Sequence, residues 1–477
     1  MIKVFESPNL PDNWILANFG DYLDITGGSQ PPKSKFSEVK KDGYVRLWQI
    51  RDLGDNPVPV FVDKSLVSKF CSDGDILIGR YGASVGKVFW AKDGAYNVAL
   101  VKLIFDDKIF HKSFLFYFLQ SLYFQRYLKL ISKTAQSGFN RSDLYNIELP
   151  IAPLPEQHRI VEKIEELFSE LDNGVASLKK ALEQLKTYRQ AVLKWAFEGK
   201  LTEKWRNTHQ DSLEDADTLL EQIKAERKRH YQQQLEDWKQ ALKEWENNGK
   251  ETKKPTKPQQ PKDLPPLTKE ELSNLPSLPD GWAYTYLAYL GHLARGKSKH
   301  RPRNDKRLFG GKYPFIQTGE VKAAKGILRN FSDTYSEFGL QQSKLWDRET
   351  LCITIAANIA ETCFLGIQAC FPDSIVGFKS SDNIVNSKFI DYFIQSIKSK
   401  IQAFAPATAQ KNINLTTLEN LIIPFPSLQE QTQIVQEIES RLSICDQLEA
   451  TLTENLNKAE ALRQSILKRA FEGKLVL

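Results

Sequence analysis

The stretch LKWAFEGKL, residues 193–201, returns near the end of the sequence as LKRAFEGKL, residues 467–475. Eight of the nine residues are identical, and the two copies lie 274 positions apart. The same offset aligns about 68 residues without a gap, and a variable region of about 140 residues precedes each copy. The chain is therefore a tandem duplication. The paired residues include Glu156-Gln157 with Glu430-Gln431, Thr134-Ala135-Gln136 with Thr408-Ala409-Gln410, and Asn140 with Asn414.

A looser match opens each half, where LPDNW at 10–14 corresponds to LPDGW at 278–282. Between the halves, a charged helical stretch at 212–247 precedes 30 residues with seven prolines and much lysine, which is typical of a semi-rigid linker. The duplication thus predicts five segments. They are a first variable domain at 1–152, a helix at 153–201, the charged helix and linker at 202–277, a second variable domain at 278–425 and a second helix at 426–477.

Each shared segment predicts a helix of about 44 residues, on the order of 65 Å long, that ends at a glycine, Gly199 or Gly473. Its apolar residues alternate at spacings of four and three, as in a coiled coil. The stripe comprises Ile164, Phe168, Leu171, Val175, Leu178, Leu182 and Leu185 in the first copy, and Ile438, Leu442, Cys445, Leu452 and Leu456 in the second. Glu449 interrupts the second stripe, where Leu448 could substitute, and the register places Arg189 and Arg463 on the seam.

A single apolar stripe must be covered, either by the other copy or by the core of the helix's own domain. The length of the heptad pattern favours an antiparallel coiled coil between the two copies. The variable regions predict mixed α/β domains, so the fold class is α/β. The predicted strands lie at 74–80, 87–91, 97–105 and 350–356, and single helices are predicted at 113–129 and 387–404.

Composition indicates a soluble globular protein, with 41% hydrophobic and 26% charged residues. No apolar run is long enough for a membrane helix, and no signal-peptide core opens the sequence. The five cysteines form no CxxC pair. We therefore expect a cytoplasmic protein without a membrane partner.

Motifs for catalysis are weak. Six scattered histidines offer no metal pair at helical spacing, and GASVGKV at 82–88 lacks the glycine spacing of a phosphate-binding loop. Asp12 with a Glu-Val-Lys element ending at Lys40 imitates the carboxylate–lysine pattern of metal-dependent nucleases, as does Asp280 with a second such element ending at Lys322. The two elements are not equivalent in the repeat, but a self-contained nuclease stays open as an alternative.

Charge favours nucleic-acid binding. Residues 281–425 hold 18 Lys/Arg against 11 Asp/Glu, and eight of these bases with one acid fall within 295–312. Residues 1–150 hold 19 against 16. A Gly- and Pro-containing loop rich in Lys and Arg suits phosphate contacts, although a solvated charged loop would look the same. Asn and Gln side chains could read adenine, but Asn140 and Asn414 could equally cap the helix that follows each of them.

These motifs together resemble the specificity subunit of a type I restriction–modification system. The resemblance rests on the duplication, the PDxW opening, the TAQxxxN pattern, the EQ…IV helix start and the AFEGKL ending, and it covers nearly the whole chain. It implies that each variable domain is a target-recognition domain for one half of a bipartite, asymmetric DNA site, with the coiled coil setting the spacing.

The resemblance also implies that the chain is not an enzyme and holds no cofactor. Two methyltransferase subunits would bind S-adenosylmethionine and methylate adenine N6, and two restriction/translocase subunits would use ATP and Mg²⁺. The first candidate DNA-binding set is Lys33, Lys35, Arg80, Tyr81, Ser84, Gln136, Asn140 and Arg141. The second is Lys297, Lys299, Arg301, Arg303, Gln317, Asn358, Gln410, Lys411 and Asn414. A coiled-coil scaffold without DNA affinity is a further alternative.

Overall fold

The structure is a computed structural model that describes residues 10–53, 57–131, 138–210, 213–249, 254–258, 260, 263–381, 384–403 and 413–476. The chain divides into two compact units. Unit 1 comprises Met1–Leu182 with Ala450–Leu477, and unit 2 comprises Glu183–Glu449. Two helices of 44 residues each, α5 (Leu154–Phe197) and α15 (Leu428–Phe471), therefore contribute one part to each unit.

Unit 1 contains two four-stranded sheets and a separate strand pair. The pair joins β1 (Ile15–Asn18) and β10 (Glu148–Ile151). One sheet has the order β2 (Asp24–Gly27), β9 (Leu100–Ile104), β6 (Ile76–Gly79), β7 (Val88–Trp90), and the other has the order β4 (Phe61–Asp63), β3 (Tyr44–Trp48), β8 (Gly94–Tyr96), β5 (Phe70–Cys71). The short helices are α1 (Phe19–Tyr22), α2 (Lys112–Gln120), α3 (Leu122–Ile131) and α4 (Arg141–Leu144).

Unit 2 repeats this arrangement with one additional strand. Its pair joins β11 (Ala283–Tyr286) and β21 (Ile422–Phe425). The sheets run β12 (Gly291–Arg295), β20 (Ile375–Ser380), β17 (Leu351–Thr354), β18 (Thr362–Leu365), β14 (Gly326–Leu328), and β15 (Asp333–Tyr335), β13 (Phe309–Phe315), β19 (Ala369–Cys370), β16 (Leu345–Trp346). Helices α6 (Glu203–Thr208), α7 (Ala216–Asn247), α8 (Lys269–Ser273), α9 (Leu287–Leu290), α10 (Thr318–Ala323), α11 (Glu337–Gln341), α12 (Ser387–Ser396), α13 (Lys398–Ala403) and α14 (Leu415–Glu419) complete it.

Apart from the additional strand β14 at one edge, the strand orders of the two units correspond, which confirms the predicted α/β fold and tandem duplication even where the two sequences differ. One glycine in each unit shows how the two units reach the same backbone arrangement. A Cβ on Gly28 would lie 2.2 Å from the Asn97 carbonyl oxygen, and a Cβ on Gly296 would lie 2.3 Å from that of Phe371. Only glycine tolerates this approach between the two sheets of a unit.

The predicted helices at 113–129 and 387–404 are each two helices, so that prediction was wrong in the same way twice. The breaks fall at Ser121 and Ile397. The Ser121 hydroxyl donates to the Phe118 carbonyl at 2.6 Å, and Ser396 donates to Phe393 at 2.6 Å. The Ser121 hydroxyl takes a carbonyl that would otherwise accept within a continuing helix, whereas the Phe393 carbonyl also still accepts from the Ile397 amide at 3.2 Å. Periodicity alone reveals neither break.

The coiled-coil prediction is confirmed. Within unit 1, Ile164 and Phe168 are buried with Ile466, Leu467 and other residues of the last turns of α15. Within unit 2, Val192 is buried with Ile434, Ile438 and other residues of the first turns of α15. The early part of each helix thus meets the late part of the other, which is the antiparallel arrangement.

Arginines replace the apolar stripe where it fails. In unit 2, Arg189 donates to Asp446 at 2.6 Å and to Glu449 at 2.9 Å. In unit 1, Arg463 pairs with Asp172. Leu448 does not substitute for Glu449, because its side chain is 49% exposed. The Glu449 side chain is also exposed, at 54%, and it reaches Arg189 from the edge of the seam.

The charged insertion packs against the rest of unit 2. Leu219 and Ile223 of α7 are buried, and Arg227 lies 4.0 Å from the centroid of the Tyr289 ring. The proline-rich linker returns along the helix, since the Trp238 indole donates to the Pro255 carbonyl at 3.1 Å. No helix in the described ranges is long and apolar enough to cross a membrane.

Candidate nucleic-acid interface

The repeated Glu-Gln motif fixes the start of each long helix to its domain. Trp14 of the PDxW motif donates from its indole to Glu156 at 3.0 Å, and Trp282 donates to Glu430 at 2.9 Å. In each unit, the Glu residue of the Glu-Gln motif therefore binds the Trp residue of PDxW. This contact explains why the two motifs recur together.

The neighbouring glutamine satisfies backbone groups that would otherwise be buried without partners. In unit 1, Gln157 accepts from the His111 amide at 2.8 Å and donates to the carbonyls of Ile109 and Ala152. Gln431 makes the same three bonds in unit 2, and both side chains are buried. Three well-formed bonds from one buried amide hold the N-terminus of α2 or α12 against the long helix.

The glycine of the repeated AFEGK ending meets the proline of PDxW. A Cβ on Gly473 would lie 2.4 Å from Pro11, and a Cβ on Gly199 would lie 2.4 Å from Pro279. Both glycines have φ near +70°, as a helix C-cap requires. Each unit is thus closed by a repeated joint made of PDxW, EQ and AFEGK, and the variable strands and loops extend from it.

Three predicted residues of unit 1 come together beside the described end of the TAQSGFN segment. Arg80 and Tyr81 follow β6, and the Arg80 Nε donates to the Phe139 carbonyl at 2.7 Å. Ser84 ends the short turn after Tyr81. A Cβ on Gly138 would lie 2.6 Å from the Tyr81 ring, so this glycine allows the two loops to touch. Gln136 lies outside the described residues.

Unit 2 has the equivalent pair of loops. The Ile413 amide donates to the Ile355 carbonyl at 3.0 Å, so the segment before Asn414 lies against the loop after β17. Asn358 lies in that loop, directly after Ala357, whose φ of +61° matches the +62° of Gly82 in unit 1. The sequence candidates Arg80, Tyr81, Ser84 and Asn358 therefore belong to one structural loop that differs between the units. Gln410 and Lys411 lie outside the described residues.

Asn140 and Asn414 cap helices. Asn140 accepts through Oδ1 from the Asp143 amide at 3.2 Å, and Asn414 accepts from the Thr417 amide at 2.8 Å. The capping alternative is thus what the structure shows for these carbonyl oxygens, and a role in DNA reading stays a prediction. Arg141, directly after Asn140, forms an ion pair with Asp24.

The predicted phosphate-binding loops are exposed. In unit 1, Lys33 and Lys35 project from a short helical turn. In unit 2, Lys297 and Lys299 are exposed, and their backbone amides are fixed by the carbonyls of Phe371 and Gln342. Loop position is therefore set by the backbone, which leaves these ammonium groups available to a ligand.

The arginines of this loop are partly engaged within the protein. Arg301 donates to the carbonyls of Ser298 and His300, and Arg303 makes two bonds to the Asp373 carboxylate, at 2.9 and 3.1 Å. Arg307 and His300 both contact Asp305, and the hydrogen bonds from Arg307 hold the pKa of Asp305 far below its usual value. Asp305 thus stays ionised and organises the loop.

Gln317 directly precedes α10, and its backbone amide donates to the Glu320 carboxylate at 2.7 Å. The structure identifies Gln49 as the equivalent of Gln317 in unit 1, which the sequence analysis did not find. Gln49 follows β3 as Gln317 follows β13. The backbone amide of Gln49 donates to the Asp52 carboxylate at 3.0 Å. The shared Gln-x-x-acid spacing could have revealed it, but the repeat offset differs in this region, so the two glutamines do not align.

The Glu-Val-Lys element at 320–322, which resembles part of a nuclease motif, has a structural role. Both Glu320 oxygens accept from backbone amides, those of Gln317 and Ser332. In the part of the chain that the structure describes, no three His, Cys, Asp or Glu side chains form a group that could hold a metal ion.

Comparison with known proteins agrees with this geometry. The sequence model of the type I restriction modification DNA specificity domain matches residues 11–185 and 279–458, once in each half. The chain belongs to this family. It is similar to the specificity subunits of the type I restriction enzymes EcoBI and EcoKI of Escherichia coli. The identities are 23% and 24%, each covering 98% of this chain and 87% and 90% of those proteins.

Two solved structures share the fold. One is a chain from a study of complex assembly and conformational transition of the type I R-M system, with a TM-score of 0.67, 17% identity and coverage of 98% and 99% of the two chains. The other is the HsdS subunit from Thermoanaerobacter tengcongensis, with a TM-score of 0.53, 17% identity and the same coverage. The family-level prediction from the sequence motifs is confirmed.

Proposed function

We propose that each unit of this DNA specificity protein reads one half of a split, asymmetric DNA sequence. The chain would thereby direct adenine N6 methylation and restriction by partner subunits. The observation that carries the proposal is that one fold and one joint occur twice, with different side chains in the equivalent loops. A protein that read two identical half-sites would have no need for different loops.

The chemistry of those loops supports two different half-sites. After β6, unit 1 offers Arg80 and Tyr81, whereas the equivalent loop of unit 2 offers Asn358 after two alanines. Arginine suits guanine and asparagine suits adenine in the major groove. The exposed lysines Lys33, Lys35, Lys297 and Lys299 would bind phosphates and supply affinity without sequence preference.

Partner subunits would supply the chemistry. The repeated joint gives two methyltransferase subunits equivalent surfaces to dock on, and two restriction/translocase subunits would complete the assembly. S-adenosylmethionine, ATP and Mg²⁺ would bind to those partners. Methylation would require the target adenine to be flipped out of the duplex, so the present chain would position the DNA for a partner's active site.

Modified-base sequencing of host DNA, with and without this gene, tests the proposal. We expect N6-methyladenine at two short constant blocks around a fixed gap, lost on deletion and restored by the wild-type gene. Unchanged methylation in a host that expresses the partner subunits, together with no duplex affinity of the purified chain, would refute it. The scaffold alternative predicts that charge reversal at Arg301 and Arg303 changes nothing.

A further inference from the structure

Unit 2 holds a half-buried lysine that forms no direct ion pair with any described residue. Lys344 directly precedes β16, and its ammonium lies 3.8 Å from the centroid of the Trp346 ring. Among the described residues, no carboxylate pairs with this ammonium and no oxygen accepts a hydrogen bond from it. An aromatic face replaces only part of the hydration that a buried cation loses, so Lys344 costs the folded protein free energy.

Two more lysines lie near the same tryptophan. The Lys297 carbonyl accepts from the Ser343 hydroxyl at 2.8 Å, which places the start of the basic loop beside Lys344. On β20, Lys379 shares a face with Gly377, whose missing side chain makes room for the Trp346 ring. Burial lowers the pKa of Lys344, and the charges of Lys297 and Lys379 lower it further, against a smaller opposing effect of Asp347.

The nearby acid, Asp347, makes its hydrogen bonds to other side chains. Asp347 accepts from Lys379 through one oxygen at 2.8 Å and from Gln368 through the other at 3.2 Å. Asp347 is thus bound chiefly to Lys379 and acts on Lys344 only through space. His292 faces Lys379 across the β12–β20 pairing and adds a further basic side chain. The fold therefore keeps positive charge in one place where packing alone would favour an apolar residue.

Unit 1 shows that the fold does not need this cluster. Strand β5 pairs with β8 as β16 pairs with β19, which makes Lys69 the counterpart of Lys344. The other positions hold no cation. Asp24, Ser29 and Ile104 stand where His292, Lys297 and Lys379 stand in unit 2.

We propose that Lys344, with Lys297, binds one backbone phosphate of the DNA half-site contacted by unit 2, while Lys379, held by Asp347, adds positive charge beside it. The inference rests on the proposed function and adds a site to it. A phosphate suits the cluster because its oxygens can accept from several ammonium groups at once. The adjoining loop at 295–312, with eight bases and one acid, continues the anionic path. The contact would hold the duplex in place without reading its sequence.

Neutralising Lys344 tests this directly. The full chain, assembled with its methyltransferase subunit, is titrated with the duplex identified by methylation mapping and with a scrambled duplex, at several salt concentrations. We expect Lys344→Met to weaken both complexes equally and to reduce the slope of log K against log salt by about one. Lys344→Arg should keep the wild-type slope. Lys388→Met is the control, because Lys388 is already paired with Glu439 at 2.6 Å.

Stability separates binding from a structural role. If Lys344 binds a phosphate, Lys344→Met should leave the melting temperature of the free chain unchanged or raised, since it removes a half-buried charge. The exposed Lys297→Met provides a second variant that should fold normally and also lower the slope. Unchanged slopes in both variants, in a complex that still prefers its own duplex, would overturn the phosphate site alone. A wild-type complex without such a preference would instead refute the proposed function.

Discussion

Arg206 donates to one oxygen of Glu430 through both Nε and Nη2, at 2.9 and 2.7 Å, and the Thr202 hydroxyl donates to the same oxygen at 2.7 Å. Glu430 is 1% exposed and Arg206 is 8% exposed. In unit 1 the equivalent Glu156 receives bonds from Asn13 and Trp14, which are neutral. The repeated joint therefore contains a buried ion pair in unit 2 that has no counterpart among these bonds of unit 1.

This difference predicts that the two joints respond unequally to loss of charge. Glu430→Gln leaves the Arg206 guanidinium buried without its partner, which should cost about 3–5 kcal/mol. The matched change Glu156→Gln removes only charge from bonds to neutral donors, and about 1 kcal/mol is expected. Urea denaturation of each variant measures the two losses. Equal losses would show that the ion pair adds nothing to the joint.

The coiled-coil register predicts which aliphatic side chains of α15 contribute to stability. Ile438 is fully buried on the seam, so Ile438→Ala should cost about 2–5 kcal/mol. Leu448 is 49% exposed, and Leu448→Ala should change stability by no more than about 0.5 kcal/mol. Thermal unfolding followed by circular dichroism compares them. A large loss at Leu448 would mean that Leu448 is packed in the seam after all.

A buried carboxyl group predicts a pH dependence of stability. Asp391 on α12 is 7% exposed, Oδ2 accepts from Gln395 at 3.0 Å, and Oδ1 has no hydrogen-bond partner among the described residues. Burial raises the pKa of Asp391 above its usual 3.8. The unfolded chain therefore releases this proton at a lower pH than the folded chain, so stability falls as pH rises from about 3.8 to the raised value.

Replacing the carboxyl group should remove that dependence. Asp391→Asn cannot ionise at this position. The difference between its free energy of unfolding and that of the wild type should therefore increase in favour of the variant as pH rises above about 3.8, and then stay constant. Urea unfolding between pH 3 and pH 8 measures both proteins. A variant that loses stability at neutral pH relative to wild type would mean that the ionised carboxylate is stabilised by a group that outweighs its burial.

The sequence predicted best where a pattern repeats. Gly199 and Gly473 ended the helices as expected, and Arg189 and Arg463 occupied the seam, because helix periodicity is local and both copies report it. It predicted least where one side chain competes with the backbone. The Ser121 hydroxyl divides an apolar run that reads as one helix, and no periodicity marks it.

The candidate site was predicted by residue type but not by arrangement. Asn358 and Arg80 were chosen separately, and only the strand order places them in equivalent loops. Gln49 was missed because the offset between the halves shifts in the variable regions. Lys344 was missed for another reason, since its significance lies in the absence of a partner, and no sequence pattern records which charges remain unpaired.

One pair of variants should distinguish the reading of bases from contact with phosphates. Asn358→Ala removes an amide from the variable loop of unit 2, whereas Lys299→Ala removes one exposed charge from the basic loop. We expect Asn358→Ala to relax the methylated motif in one half only, with about 1–3 kcal/mol less discrimination at the affected base pair. Lys299→Ala should weaken binding to all duplexes alike and leave the motif unchanged. Modified-base sequencing of cells carrying each variant reads the motif, and salt titration of each complex reads the affinity. A relaxed motif in both halves from Asn358→Ala would mean that the two units do not read their half-sites independently.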